Sequence, residues 1–398
     1  MTQPTASPPA AAQPEPDKLG VSLRVRARGA LAIPFLAFVL AVVVGSILML
    51  GSGFLTAHTF DPSLPFRAWA ALLEGAGISA DPDRAFNGLI TTAVDAAPLV
   101  LGGLSVALAF KAGLFNIGAK GQFLMGALAA GGVGAAMADQ PAPIAIVVSV
   151  VAAMLAGAAW GFVPGILKSL TGAHEVVTTI MLNTIAASIV GWLVTGPLDA
   201  HGFSFARTGD LGNSAIPVIL GRNLHAGVAL SIIAVPAIWF LLYRSTLGFQ
   251  IRAVGANPSA ARYAGMLPAV MITFTMSLAG LLAGLAGGIE ILGITGFINA
   301  SYGTNVGFDS ITVALLGRTH PVGVLFAAIL FGALRAGAGL MQITTGIPVE
   351  IVDVIQAIVL LFVAADVIVR NVFRIRATSG SIAELQTVTK SYSGGAVR

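Results

Sequence analysis

A series of long stretches almost free of charge limits this chain more than any other feature. A helix needs roughly 20 mostly apolar residues to cross the hydrocarbon core of a bilayer. Clean or nearly clean windows of that kind run over residues 30–55, 89–110, 122–138, 142–167, 176–194, 226–243, 267–289, 321–341 and 350–369. Only 10% of residues are charged and 56% are hydrophobic, beyond what a soluble globular chain carries. The run lengths and the Ala, Gly and Leu bias predict helices, because the strands of a membrane barrel would alternate over roughly ten residues. The fold class is therefore all-α: a polytopic helical bundle, multi-pass in the cell membrane, with the lipid bilayer as its solvent.

Charge sets the expected orientation. Residues 1–28 begin with a Pro-, Ala- and Gln-rich tail that lacks hydrophobic periodicity and reads as disordered, followed by Lys18, Arg24, Arg26 and Arg28. The apolar run behind them is too long for a signal-peptide core and reads as a retained first span. The positive-inside rule puts this tail in the cytoplasm. Nine crossings would leave Arg370, Arg374 and Arg376 outside, whereas a tenth, short or broken, at Ser310 to Gly317 returns them. Of 21 Lys and Arg residues, only Arg67, Arg84, Arg207 and Arg222 then fall outside, and Arg335 lies within a span, where its stem can snorkel to the boundary. The expected organisation is a cytoplasmic tail over 1–28, a transmembrane domain of about ten spans over 29–369, and a cytoplasmic tail over 370–398.

Several function classes are disfavoured. The net charge of +4 follows from membrane orientation, so nucleic acid is not an expected partner. Cysteine is absent, which removes disulfide and thiolate metal chemistry. The chain has no GxxxxGK[ST] phosphate cradle, "HEVVT" at His174 to Thr178 lacks the second histidine of a zinc helix, and no two carboxylates stand at a catalytic spacing. No catalytic residue, metal ligand or cofactor is assigned to this chain. Helices in lipid associate by close backbone approach. Gly157, Gly161 and Gly165, then Gly280, Gly284 and Gly288, and the ridge Gly126, Ala130 and Gly134 therefore read as packing seams.

Three stretches, "LFNIGAKGQFLMGALAA", "GAHEVVTTIMLNTIA" and "ALLGRTHPVGVLFAAILFGALRAG", together resemble the permease subunits of ATP-driven importers of nucleosides and simple sugars, in the branched-chain amino acid/ribose-type permease superfamily. With the hydropathy around them the resemblance covers roughly residues 89–369, and it is nearest to the longer of two related permeases of nucleoside importers. It implies a heterodimeric channel with a second permease, ATP-binding subunits that carry ATP and Mg, and an extracytoplasmic substrate-binding lipoprotein. Two positions depart from the family pattern: Lys120 stands where relatives commonly carry Glu, and His174 where they carry Asn.

The basic segment "YRSTLGFQIRAVGANPSAARYAGM" lies between the sixth and seventh spans and should face the ATP-binding subunits. Its A-A-x-x-x-G spacing resembles the coupling loops of such importers, with Ser259 where Glu is common. Asn257 can cap a short helix, Pro258 suits its first turn, and Gly265 can end it with positive φ. Ser259, Ala260, Ala261 and Arg262 would form the body of this coupling peg.

For the path itself, "GLFNIG" and "GFINAS" align at a constant offset that brings Asn116 over Asn299. They follow spans running in opposite directions, which implies an inverted repeat with broken helices at equivalent places. Glu175, Thr179 and Asn183 repeat at i, i+4 and share one helix face. With Asn116, Gln122, Asn299 and the intramembrane Asp95 they are the candidate pathway residues, since polar groups at membrane depth face protein or water. Amides and hydroxyls suit a nucleoside, and Phe115 or Phe123 offers a face for a base, although packing is the commoner use of such rings. The alternatives are a simple-sugar importer permease, or an ion-coupled transporter using Asp95, Glu175, Asp309 and Asp353. A third is a scaffold or receptor subunit that moves no solute.

Overall fold

The computed structural model describes residues 36–55, 60–221, 223–303 and 305–364. The expected tails over 1–28 and 370–398 lie outside the described residues.

The apolar windows become helices with sharper ends. In chain order they are α1 (Leu36–Leu55), α2 (Leu64–Gly75), α3 (Pro82–Lys111), α4 (Ala119–Ala136), α5 (Ala142–Thr171), α6 (Glu175–Thr195), α7 (Ala226–Arg244), α8 (Thr246–Ala256), α9 (Pro258–Tyr263), α10 (Pro268–Ile289), α11 (Val306–Leu316), α12 (Pro321–Thr345) and α13 (Glu350–Ala364). A two-stranded hairpin, β1 (Val218–Leu220) with β2 (Leu224–His225), precedes α7. Among the described residues seven helices are long and apolar enough to cross a membrane: α1, α3, α5, α6, α7, α12 and α10 with its continuation to Thr295. The other three expected crossings fall on α4, which starts with Lys120 and Gln122, on the 11-residue α11, and on α13.

α3 and α10 are buried on nearly all sides over long stretches, as helices apolar all round should be, and form the centre. α5 and α6 bury one stripe each and leave the rest of their apolar surface outward. α10 lies chiefly against α5 and α4 on one side, and α3 against α12 and α11 on the other.

Glycine sets how closely these helices approach. Gly284 of α10 is wedged between two partners: a Cβ on it would fall 2.8 Å from Gly157 Cα in α5, and a Cβ on Gly126 of α4 would fall 2.6 Å from the Gly284 carbonyl carbon. Gly157 and Gly161 meet α10 along the same line, so the i, i+4 repeats are helix seams, as their spacing predicts.

Two helix ends share a further detail. α3 stops before Gly113 (φ +72°), and the π-helical continuation of α10, Glu290–Thr295, stops at Gly296 (φ +82°). Each left-handed glycine lies three residues ahead of an asparagine, Asn116 or Asn299. Left-handed φ ends a helix abruptly, and only glycine adopts it without steric cost.

Candidate functional site

The polar residues singled out from sequence fall in three separate places rather than one. The first is the break between α3 and α4. Asn116 is buried there, and its amide exchanges hydrogen bonds with Gln122, Asn116 Nδ2 donating to Gln122 Oε1 at 2.9 Å and Gln122 Nε2 donating to Asn116 Oδ1 at 3.3 Å. From α6, Asn183 Oδ1 accepts from the Gly121 N–H at 2.8 Å, and its Nδ2 donates to the Ile117 carbonyl at 3.0 Å. Thr179, one turn earlier, donates to the Glu175 carbonyl at 2.7 Å. Glu175, 1% exposed, accepts from Lys168 Nζ of α5 at 2.6 Å. The ridge 175, 179, 183 is thus a buried stripe that fastens α6 to α4 and α5. Asn183→Ala strips partners from one buried N–H and one carbonyl. It is expected to cost about 1–3 kcal/mol for each group left unpaired, read as a lower melting temperature of the detergent-solubilised protein.

Neither phenyl ring is free at this break. Phe123 is fully buried, and Phe115 packs edge-on against Phe110 with centroids 5.1 Å apart. Lys120 Nζ sits 4.9 Å from the centroid of the Phe308 ring, a cation–π contact that ties α4 to α11. Near the same end, burial first and the Lys111 ammonium second hold the His320 imidazole below its ordinary range.

The second place lies further along the bundle. Asn299 follows α10 and its π turn, and the neighbouring Ile298 packs on Gly131 of α4, nine residues or about 13 Å at ~1.5 Å per residue beyond Gln122. Residues 206–208 run beside 298–300, with Thr208 N–H donating to the Ile298 carbonyl at 2.9 Å and Ala300 N–H to the Ala206 carbonyl at 3.2 Å. The Arg207 guanidinium stacks between Phe203 (3.9 Å) and Phe297 (4.3 Å) and pairs with Asp210. Asn299 Oδ1 is buried with no protein partner among the described residues. Asn116 and Asn299 therefore have different neighbours.

The third place is halfway along the bundle and holds Asp95 of α3. Arg335 does not snorkel to a boundary; its Nη2 donates to Asp309 Oδ2 of α11 at 2.5 Å. Asp95 and Glu290 both lie in the field of this guanidinium, and Tyr302 lies in that of Glu290. Sequence reading missed Glu290 and Tyr302. The apolar window was closed at Ile289 because Glu290 is charged, yet the helix runs straight on through Glu290 into "ILGIT". A polar residue inside a continuing apolar run was the available signal.

The expected peg is a built element. α9 spans six residues; Asn257 Oδ1 accepts from the Ala260 N–H at 3.0 Å, Pro258 opens the first turn, and Gly265 has φ +82°. Ala261 is buried, whereas Ser259, Ala260 and Arg262 are exposed and Tyr263 is 97% exposed. Behind the peg, α8 meets the end of α3 backbone to backbone: a Cβ on Gly255 would fall 2.7 Å from the Ala112 carbonyl carbon, and one on Gly113 would fall 3.1 Å from the Gly255 oxygen.

Among the described residues no cluster of His, Cys, Asp and Glu is arranged to hold a metal. The guanosine ABC transporter permease protein NupP of Bacillus subtilis is 37% identical over 86% of this chain and 95% of its own length. The nucleoside ABC transporter permease protein NupB of Lactococcus lactis subsp. cremoris is 34% identical over 85% of this chain and 91% of its own. The glucose ABC transporter permease protein TsgB13 of Haloferax volcanii is 36% identical over 69% and 75%. No solved structure matches the chain. Long apolar helices in this number, on a chain with such relatives, make a multi-pass protein of the cell membrane. Residues 88–364 match the branched-chain amino acid transport system permease component, and the chain belongs to that family.

Proposed function

We propose that this chain is the membrane-spanning permease of an ATP-driven importer of nucleosides, lining the translocation path together with a second permease. The observation that carries this reading is its identity to nucleoside permeases over nearly their whole length. The shorter match to a glucose permease makes simple sugars the neighbouring substrate class. Two such permeases occur in Bacillus subtilis, NupP and NupQ, and this chain is similar to both, which supports a heterodimeric channel. Hydrolysis of ATP with Mg would occur on separate ATP-binding subunits, and a substrate-binding lipoprotein would deliver cargo. Family membership gives no support to the ion-coupled alternative.

Both termini face the cytoplasm in this reading, with α9 and the α3–α4 break on the inner side and Arg207 with Asn299 on the outer. An inverted repeat is supported by more than the asparagine match. One offset carries α3 onto α10 with its π turn and α4 onto α11 to within a few residues, the start of α5 to within a few residues of the start of α12, and left-handed Gly113 onto left-handed Gly296. The packing of α10 on α5 has its counterpart in α3 on α12. Asn116, Gln122, Thr179 and Asn183 brace the helix break beside the path, and Glu175 fixes the foot of α6. α9 is the coupling element, with Tyr263 and Arg262 presented to the motor subunit.

The complex reconstituted in proteoliposomes is expected to take up radiolabelled guanosine only with ATP and its ATP-binding subunits, and to be indifferent to ionophores. Uptake that persists without those subunits and collapses with an ionophore refutes the reading. Ala261→Glu forces a charge under the peg, and Gly265→Pro removes its left-handed stop. Each is expected to bring uptake to background, and uptake left intact by both would remove the coupling role from α9.

A further inference from the structure

The four charged side chains at mid-bundle stand at one level. Ser105 Oγ of α3 donates to the Ala279 carbonyl of α10 at 2.6 Å. From that bond, ten residues back along α3 reach Asp95 and eleven forward along α10 reach Glu290, each about 15 Å on at ~1.5 Å per residue. Gly332 of α12 rests on Ala96, so Arg335, one turn on, faces Asp95, and Asp309 precedes Ser310, which packs on Gly102. Tyr302 closes the group from the loop before α11. Three carboxylates thus lie in the field of one guanidinium, all half-buried, and among the described residues Asp309 alone is ion-paired to it. Charges at this depth are retained where they face water or cargo.

A second observation points the same way. Gln356 of α13 is 1% exposed and its Oε1 has no protein partner among the described residues, while its Nε2 reaches the Phe331 carbonyl, one turn from Arg335, at 3.5 Å. On the same helix, one turn from Gln356, Asp353 accepts from Asn305 at 3.1 Å and acts electrostatically on Asp309. The repeat offset sharpens the contrast. The positions equivalent to Asp309 and Arg335 are Gly126 and Ala152, in the half closed by the glycine seam, so charge stands in one half of the repeat where the other packs on glycine.

We propose that this Arg335-centred network, and not the Asn116 brace, is the station that reads the polar groups of the permeating solute. Asp95 and Glu290 accept from hydroxyls or ring N–H groups, Arg335 donates to carbonyl or ring acceptors, and the excess of carboxylates turns away phosphorylated solutes. The class it fits is a neutral solute rich in hydroxyls, a nucleoside or a sugar. This deepens the import reading and rests on it.

The test uses the full transport complex in proteoliposomes, with radiolabelled guanosine, guanosine monophosphate and glucose as probes. Glu290→Gln and Asp95→Asn keep the shape and remove a charge-assisted acceptor. Each is expected to raise KM for the transported solute about 10- to 100-fold, more than it lowers kcat, and to narrow the preference for guanosine over its monophosphate. Ser105→Ala loosens the same helix pair below the network and is expected to move neither. Equal KM changes in all three variants, or a loss of kcat with KM and preference unmoved, would overturn the proposal. If the wild-type complex moves neither guanosine nor glucose, the import reading fails by itself, and the network is judged by labelling. The chain has no cysteine, so Glu290→Cys that reacts with a water-soluble maleimide keeps the open polar station, and no reaction in any nucleotide state removes it.

Discussion

Gly284→Leu is expected to leave no folded permease. Position 284 touches two helices at once, with α5 at Gly157 on one side and α4 at Gly126 on the other, and in each direction the nearest atoms are backbone. Side chains can rotate away from an added methyl group, whereas a helix backbone can only be pushed back as a whole. Between helices already in lipid there is no hydrophobic drive to restore the contact once it opens. The cost should exceed the usual 1–3 kcal/mol of overpacking and reach ~4 kcal/mol or more. It would be read as loss of the monodisperse peak in detergent size-exclusion chromatography. Gly339→Ala in α12, where an added Cβ meets nothing within 4 Å, is the matched control and should melt at or slightly above the wild-type temperature.

Arg335→Met is the second large effect. It removes the cation and leaves Asp309, Asp95 and Glu290 facing one another in the bundle. Arg335 and Asp309 are only 23% and 14% exposed, so water compensates little. Breaking such a pair by removing one partner costs about 3–5 kcal/mol. Adding Asp309→Asn takes away one of the stranded charges, so the double variant should recover ~0.5–3 kcal/mol of the single-variant loss. Thermal melts of the purified single and double variants check this. A double variant no more stable than Arg335→Met would mean that the pair contributes little.

What the chain disclosed in advance follows from which forces are local. The seams at Gly157, Gly161, Gly280 and Gly284 were legible because a four-residue repeat of small side chains has one structural meaning in lipid. The stripe of Glu175, Thr179 and Asn183 was legible for the same geometric reason, and Asn257, Pro258 and Gly265 because capping is decided within a turn. Where the polar groups meet was not legible. Asn116 and Asn299 match in sequence yet follow helices that run in opposite directions, so similarity paired them while topology gave them different partners, Gln122 for Asn116 and the strand-like run 206–208 for Asn299. Arg335 and Asp309 lie 26 residues apart in the chain, and nothing local tells an arginine that bends to the boundary from one that finds a carboxylate. Closing the apolar window 267–289 at the first charge after it also hid Glu290 inside a continuing helix.

The contact between Gly113 and Gly255 fixes how closely α3 and α8 can stand. A Cβ on Gly255 would run into the Lys111 carbonyl oxygen and one on Gly113 would fall 3.1 Å from the Gly255 oxygen, so main chain lies on main chain where α8 meets the end of α3. A side chain can rotate out of a tight contact, whereas a backbone yields only by moving its whole helix. A shift of α8 at this point therefore meets the end of α3 without the slack that side chains would give.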